Sequence, residues 1–154
     1  MTYTLKPNRA KFDHAMNGGD GEYCAYPEAS GQSFKAGQLV YLAAGLTTVV
    51  ADAGVVIWGI AESDASTSAT TTPTIDMNVL RMGDVVSIKC SGTPTYANIG
   101  IKYELVASSN VTLCNLSGVS TPCMTVVGVV DPGVSGGRVL VTFLPTVLQY
   151  HIGS

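Results

Sequence analysis

Nine short runs rich in β-branched residues dominate this chain and restrict its fold more than any other feature. They lie at 38–43, 47–50, 55–61, 75–82, 85–90, 101–106, 111–114, 124–130 and 138–144, and each is cut off by Gly, Asn, Asp or Ser-Gly. β-branched side chains pack well on a pleated surface, and these turn residues stop a strand by supplying positive φ or local hydrogen bonds. No window of ten or more residues carries an apolar stripe at the helical period, so helix should be minor. The expected fold is all-β, a small barrel or sandwich of about nine short strands. A chain of 154 residues is long enough for one core that buries roughly 68–70% of the unfolded surface without staples.

The segment 1–34 is different. It has no sustained period of 2 or 3.6, and it carries Lys6, Arg9, Lys11, Asp13, Asp20, Glu22 and Glu28 around the turn cluster Asn17-Gly-Gly-Asp-Gly-Glu22. It reads as an extended N-terminal arm, residues 1–34, ahead of a β domain at 35–154. Five of the chain's aromatics, Tyr3, Phe12, Tyr23, Tyr26 and Phe34, fall in this arm. They either fold back onto the chain's own barrel or anchor it across a neighbouring molecule. The tract 63–74, SDASTSATTTPT, has one charge, Asp64. It is too polar to pack and too long for a hairpin turn, and is expected to be an exposed loop.

The β region echoes itself. Gly37-Gln-Leu-Val-Tyr-Leu leads to Val55-Val-Ile-Trp-Gly-Ile-Ala-Glu, and Gly100-Ile-Lys-Tyr-Glu-Leu leads to Met124-Thr-Val-Val-Gly-Val-Val-Asp. Each echo continues into an alternating strand, at 75–80 or 138–144. Pairing Tyr41 with Tyr103 and Gly59 with Gly128 gives two weak copies of a three-strand unit, with each Gly marking the same barrel corner.

Composition argues about partners. Charged residues are 12% of the chain, about half the usual ~25%, and the deficit is filled by Thr, Ser and Gly. A formal charge of −3 speaks against binding a phosphate backbone. No run reaches the ~18 apolar residues of a membrane helix, and the first residues lack the apolar stretch of a secretory leader. From 85 to 154 only Lys89, Lys102, Glu104, Asp131 and Arg138 are charged. A surface with so little repulsion associates readily, which suits an assembly subunit better than a free enzyme.

Chemistry is sparse. His14 and His151 lie near the chain ends, poor places to hold a base in register, and Asp52, Glu62, Asp64, Asp84 and Asp131 are scattered in turn contexts. No catalytic residue is assigned. The Asn17–Glu22 cluster lacks the alternating acids of a calcium loop, and Cys24, Cys90, Cys114 and Cys123 show no CxxC spacing. No metal site or cofactor is expected, and the cysteines read as reduced, mostly buried thiols. Trp58 lies in the most apolar run and reads as core.

Lys35-Ala-Gly-Gln-Leu-Val-Tyr, then 49–65 with Val55-Val-Ile-Trp-Gly-Ile-Ala-Glu-Ser-Asp64 at its centre, then 75–80 and Gly83-Asp-Val-Val-Ser-Ile88 resemble the head-decoration (cement) proteins of tailed bacteriophages. The resemblance covers 35–90 and, more faintly, 100–144. It implies a virion structural protein, not an enzyme, made in the host cytoplasm and mounted on the outer capsid surface. Such a protein binds the major capsid protein, stabilises the shell mechanically and is usually a homotrimer. No nucleic acid, membrane or small-molecule partner is implied. Within that frame Tyr3, Leu5, Phe12, Tyr23 and Tyr26 are the expected capsid contacts. Val147, Leu148, Tyr150 and Ile152, an apolar tail that would otherwise be exposed, form the expected oligomer seam. A ligand-binding β module, such as a carbohydrate-binding or tail-adhesion domain, is the alternative, and it would require exposed aromatics within the β region. Tyr41, Trp58, Tyr96, Tyr103 and Phe143 instead read largely as core or seam.

Overall fold

The structure, a computed structural model, describes residues 10–14, 22–50, 56–66, 73–108 and 111–149. Each of the nine runs contains a strand: β3 (Leu39–Ala43), β4 (Leu46–Val49), β5 (Gly59–Ala61), β6 (Thr74–Val79), β7 (Val85–Cys90), β8 (Lys102–Ser108), β9 (Val111–Asn115), β10 (Met124–Val129) and β11 (Arg138–Phe143). Two more strands lie within the expected arm, β1 (Lys11–His14) and β2 (Glu22–Pro27). The fold is all-β; between β7 and β8 stands a single 3-10 turn, Tyr96–Asn98.

The strands form two sheets. In one the order is β1-β7-β11-β10-β8-β9, and a parallel pairing of β7 with β9 closes the last five into a barrel. The other has the order β2-β6-β5-β3-β4, and its two ends are joined by a parallel bridge between Glu28 and Thr47. Subtracting five from each label of the closed barrel gives the order of the second sheet. The internal repeat is therefore a five-strand unit, β2–β6 followed by β7–β11, rather than a three-strand one.

Backbone hydrogen bonds fix its register. Trp58 N–H donates to the Val40 carbonyl (2.8 Å) as Cys123 N–H does to that of Tyr103 (2.9 Å). Leu80 N–H donates to the Trp58 carbonyl (3.0 Å) as Leu144 N–H does to that of Cys123 (2.9 Å). At the seam, Ala29 N–H bonds the Thr47 carbonyl (3.0 Å) as Ser91 N–H bonds that of Cys114 (2.9 Å). Val40 thus corresponds to Tyr103 and Trp58 to Cys123, which corrects the pairing of Tyr41 with Tyr103 and of Gly59 with Gly128. The two glycines also do different work. Gly128 stands at a register shift of β10 against β11, beside the exposed Val127. Gly59 is in regular register, but a Cβ there would fall inside van der Waals contact of the Asn78 backbone carbonyl. The first is a bulge and the second a close approach of two strands.

The first copy carries a tight two-residue hairpin, in which Ala43 pairs with Leu46 around Ala44 (φ 50°) and Gly45 (φ 80°). Two successive positive φ values give the turn that matches strand twist, and Ala44 accepts a conformation that side chains with a Cβ resist.

The main core draws on both units. Leu39, Ile57, Ile60 and Leu80 from the first pack with Val86, Ile88, Leu105, Met124, Val139 and Val141 from the second. A smaller cluster, Phe34, Val40, Ala61, Ile75, Met77 and Val79, fills the first unit alone. The described parts of the segment 1–34 belong to this body. β1 pairs with β7, β2 pairs with β6 over its whole length, and Phe34 is 1% exposed. The arm thus folds back as strands of its own sheets where the structure describes it. The C-terminal tail is tied down as well. Ile57 N–H donates to the Val147 carbonyl (2.8 Å) and Gln149 N–H to that of Ile57 (2.8 Å). The Gln149 side chain then brackets Leu42, its Nε2 donating to the carbonyl (2.7 Å) and its Oε1 accepting from the N–H (2.8 Å).

Candidate interaction surface

The buried polar groups serve the fold. Glu28, 2% exposed, accepts a hydrogen bond at Oε2 from the Ser66 N–H (3.0 Å). It thereby ties the start of the 63–74 tract to the seam of the first unit. Asp84 accepts from the Arg81 N–H (2.9 Å) in the turn before β7. Arg138 reaches across to β7, where Nε donates to Ser87 Oγ (2.9 Å) and Nη2 to the Ser87 carbonyl (2.8 Å). Burial pulls the Arg138 guanidinium below its ordinary value, against the pull of nearby Asp131. Among the described residues no group of three or more His, Cys, Asp and Glu is placed to hold a metal ion.

The surface of the second unit is more informative. Of the five charged residues from β7 to 149, Arg138 is buried, Lys89, Glu104 and Asp131 are half-buried, and Lys102 is exposed. Both acids among them are engaged internally: Glu104 Oε1 accepts from the Thr121 N–H (2.8 Å), and Asp131 Oδ2 accepts from the Arg138 N–H (3.0 Å). Six large apolar side chains meanwhile stand out into solvent on adjoining segments at one end: Tyr96, Ile99, Ile101, Val127, Val130 and Val134.

Those segments are knitted together by backbone. Gly100 N–H donates to the Val126 carbonyl (2.8 Å) and Val126 N–H to that of Ile101 (3.1 Å), so 99–101 runs beside the middle of β10. Gly133 N–H donates to the Pro94 carbonyl (2.8 Å) and Gly136 N–H to that of Gly92 (2.9 Å), joining the β10–β11 turn to the β7–β8 loop. Within the latter, Asn98 Nδ2 donates to the Tyr103 hydroxyl (2.7 Å), anchoring the 3-10 turn on a core residue. Covering a charge-poor, apolar end built on a fixed backbone costs little ordering.

The residues expected for contact fare differently. Tyr23 is 61% exposed on β2. Tyr26 is half-buried and meets Trp58 edge to face at 5.7 Å and 86°, so its ring belongs to the smaller core cluster. Phe12 is on β1, and Tyr3, Leu5, Tyr150 and Ile152 lie outside the described residues. Leu148 is not exposed for a seam in this chain. It is 1% exposed, bridged to Ile57 and part of the main core, and Val147 packs against that core. Val147 and Leu148 are consumed internally because the first unit leaves the Ile57 edge open to them. Of the aromatics read as core, Tyr103 and Phe143 are buried, Tyr41 and Trp58 half-buried, and Tyr96 exposed at 68%. The apolar end had a sequence signal, Tyr96, Ile99 and Ile101 in a Gly/Asn-punctuated loop, but the charge-poor stretch around it hid which apolar residues point outward. Ser63, Asp64 and Ser66 are exposed, in line with a surface loop, while 67–72 lie outside the described residues.

Comparison with protein-family models, with curated proteins and with solved structures finds no match to this chain.

Proposed function

We propose that this chain is a non-enzymatic decoration (cement) subunit that mounts on the outer surface of a tailed-phage capsid and stabilises the shell as a homo-oligomer, with a trimer as the expected form. The observation that carries the reading is the charge-poor, apolar end of the second unit, set on a backbone that is already fixed. A subunit whose task is permanent contact gains from such a surface; a freely diffusing enzyme does not. Supporting it are the resemblance of 35–90 to the cement proteins and the two barrels with a shared core, a rigid body able to carry load between neighbouring shell subunits. Oligomerisation would make the attachment multivalent, so modest contacts would add to high avidity. In this reading Tyr96, Ile99, Ile101, Val127, Val130 and Val134 face the major capsid protein together with the exposed Tyr23, and Tyr26 and Leu148 keep their places in the core.

The test is co-sedimentation of the full-length chain with expanded tailed-phage capsid shells stripped of their own decoration protein, alongside light scattering of the free chain. Ile99→Lys combined with Val130→Lys should lower shell binding at least tenfold, the loss of one central anchor, and leave the melting curve in place. Wild-type protein that ignores the shells, or a double variant that binds them unchanged, would sink the proposal.

A further inference from the structure

Cys90 and Cys114 are Cα partners in the short parallel pairing of β7 with β9 that closes the second barrel. Both are free thiols, 3% and 0% exposed, and their side chains hydrogen-bond to one another. Neighbouring strands stand about 4.8 Å apart, inside the 4.4–6.8 Å Cα span that a disulfide accepts. The two sulfurs are therefore already side by side.

We propose that Cys90 and Cys114 form an oxidisable dithiol that hydrogen peroxide converts to a disulfide, covalently locking the seam of the second barrel. The inference is independent of the shell-binding reading.

Three features support it. The first is the surroundings of Cys90. The hydrogen bond from the Cys114 thiol pulls Cys90 below the ordinary thiol value, burial opposes this, and the Arg138 cation adds to the downward pull. Cys114 moves the other way, raised by the same hydrogen bond and by burial. One thiol is thereby set to attack and its partner to resolve; both are buried, so the attack waits on a local opening of the seam. The second is the seam itself. Only Lys89–Leu113 and Cys90–Cys114 are paired there, so a local opening that admits a small oxidant breaks few ladder bonds. The third is the repeat. The matching seam of the first unit is occupied by Glu28 and Thr47, so the thiols occupy the closing position of their barrel, where a covalent bond has most to hold.

The chemistry balances. The Cys90 thiolate attacks one oxygen of hydrogen peroxide, the O–O bond breaks, and the departing hydroxide takes up a proton to leave as water, giving a sulfenic acid. The Cys114 sulfur then attacks the Cys90 sulfur, the S–S bond forms, and the hydroxyl leaves with the Cys114 proton as a second water. Two thiols lose two electrons and the peroxide gains them. Cys123 is the nearest competitor, but it stands before β10, outside the β7–β9 pairing.

Full-length protein is reduced, desalted, treated with hydrogen peroxide, then denatured and alkylated without reductant. Alkylated thiols should fall from four to two. Chymotryptic cleavage at Leu116, which separates Cys114 from Cys123, should yield a peptide linking Cys90 to Cys114. The oxidised protein should melt roughly 5–10 °C higher, because the bond closes a loop of about two dozen residues, and dithiothreitol should reverse the shift. Cys123→Ser should still form the link, and Cys114→Ser should leave a sulfenic acid on Cys90 that dimedone traps. Four alkylated thiols after peroxide, a link that includes Cys123 or Cys24, or a linked form that melts lower would overturn the proposal; the wild-type peptide map decides even where a variant fails to fold.

Discussion

Truncating Leu148 to alanine separates a core role from a seam role for the C-terminal tail. Leu148 is 1% exposed and paired with Ile57, itself 0% exposed. Removing three carbons forfeits about 2.4 kcal/mol of transfer free energy, at ~0.8 kcal/mol per methylene. A cavity adds to this because the surroundings cannot collapse: Val147 and Gln149 are both bonded to the Ile57 backbone, and the Gln149 side chain is bonded twice to Leu42. The total should be about 3–4 kcal/mol, within the ~2–5 kcal/mol of buried Leu→Ala changes. For a chain of this size that is a drop of roughly 7–14 °C in Tm. Urea melts should show a lower midpoint at unchanged slope, and Leu148→Met, which conserves volume, should cost less than about 1.5 kcal/mol. The reasoning fails if Leu148→Ala costs under ~1 kcal/mol, or if its cost grows on dilution, since the second result would put Leu148 at a subunit contact.

Asn78 is 0% exposed, and neither its Oδ1 nor its Nδ2 has a hydrogen-bond partner; Asn78→Leu should therefore hold or raise the urea midpoint, by up to about 2 kcal/mol, and a clear loss would show that the amide is satisfied in solution. Gly59→Ala should cost at least ~2 kcal/mol in the same assay, because its Cβ meets the Asn78 backbone rather than a movable side chain; an unchanged midpoint would mean β5 and β6 are further apart than described. Burial, and then the Glu104 carboxylate, push the Cys123 thiol up to about 12. The unfolded chain therefore releases this proton first as pH rises, so the contribution is present below pH 9, declines toward pH 12, and should shrink in Cys123→Ala; identical alkaline profiles for the two proteins would remove Cys123 from the explanation.

Much of the fold was legible because period-2 patterning survives wherever one face is buried and the other wet. The runs 85–90 and 138–144 were readable as strands from β-branched content and punctuation alone. β2 was not, because its outward residues Tyr23 and Ala25 are no more polar than the inward Cys24, so the alternation does not show. The apolar end was only half legible: Val127 faces outward in step with the alternation of β10, whose buried residues are Met124 and Val126, but an apolar residue on the wet face of a strand looks like core in the sequence.

The sequence by itself determined that this chain must be all-β, that its strands come in two echoing sets, and that its second half is poor in charge. These follow from local propensity and composition, which act within a few residues. Tertiary structure decided the repeat's register, the return of β1 and β2 to their own sheets, the meeting of Cys90 with Cys114, and the burial of Leu148 against Ile57. Each depends on pairing between residues far apart in sequence, and a one-residue slip in such a pairing turns every side chain to the opposite face. An apolar tail looks the same in sequence whether it seeks a partner chain or its own barrel; the open edge at Ile57 made the choice.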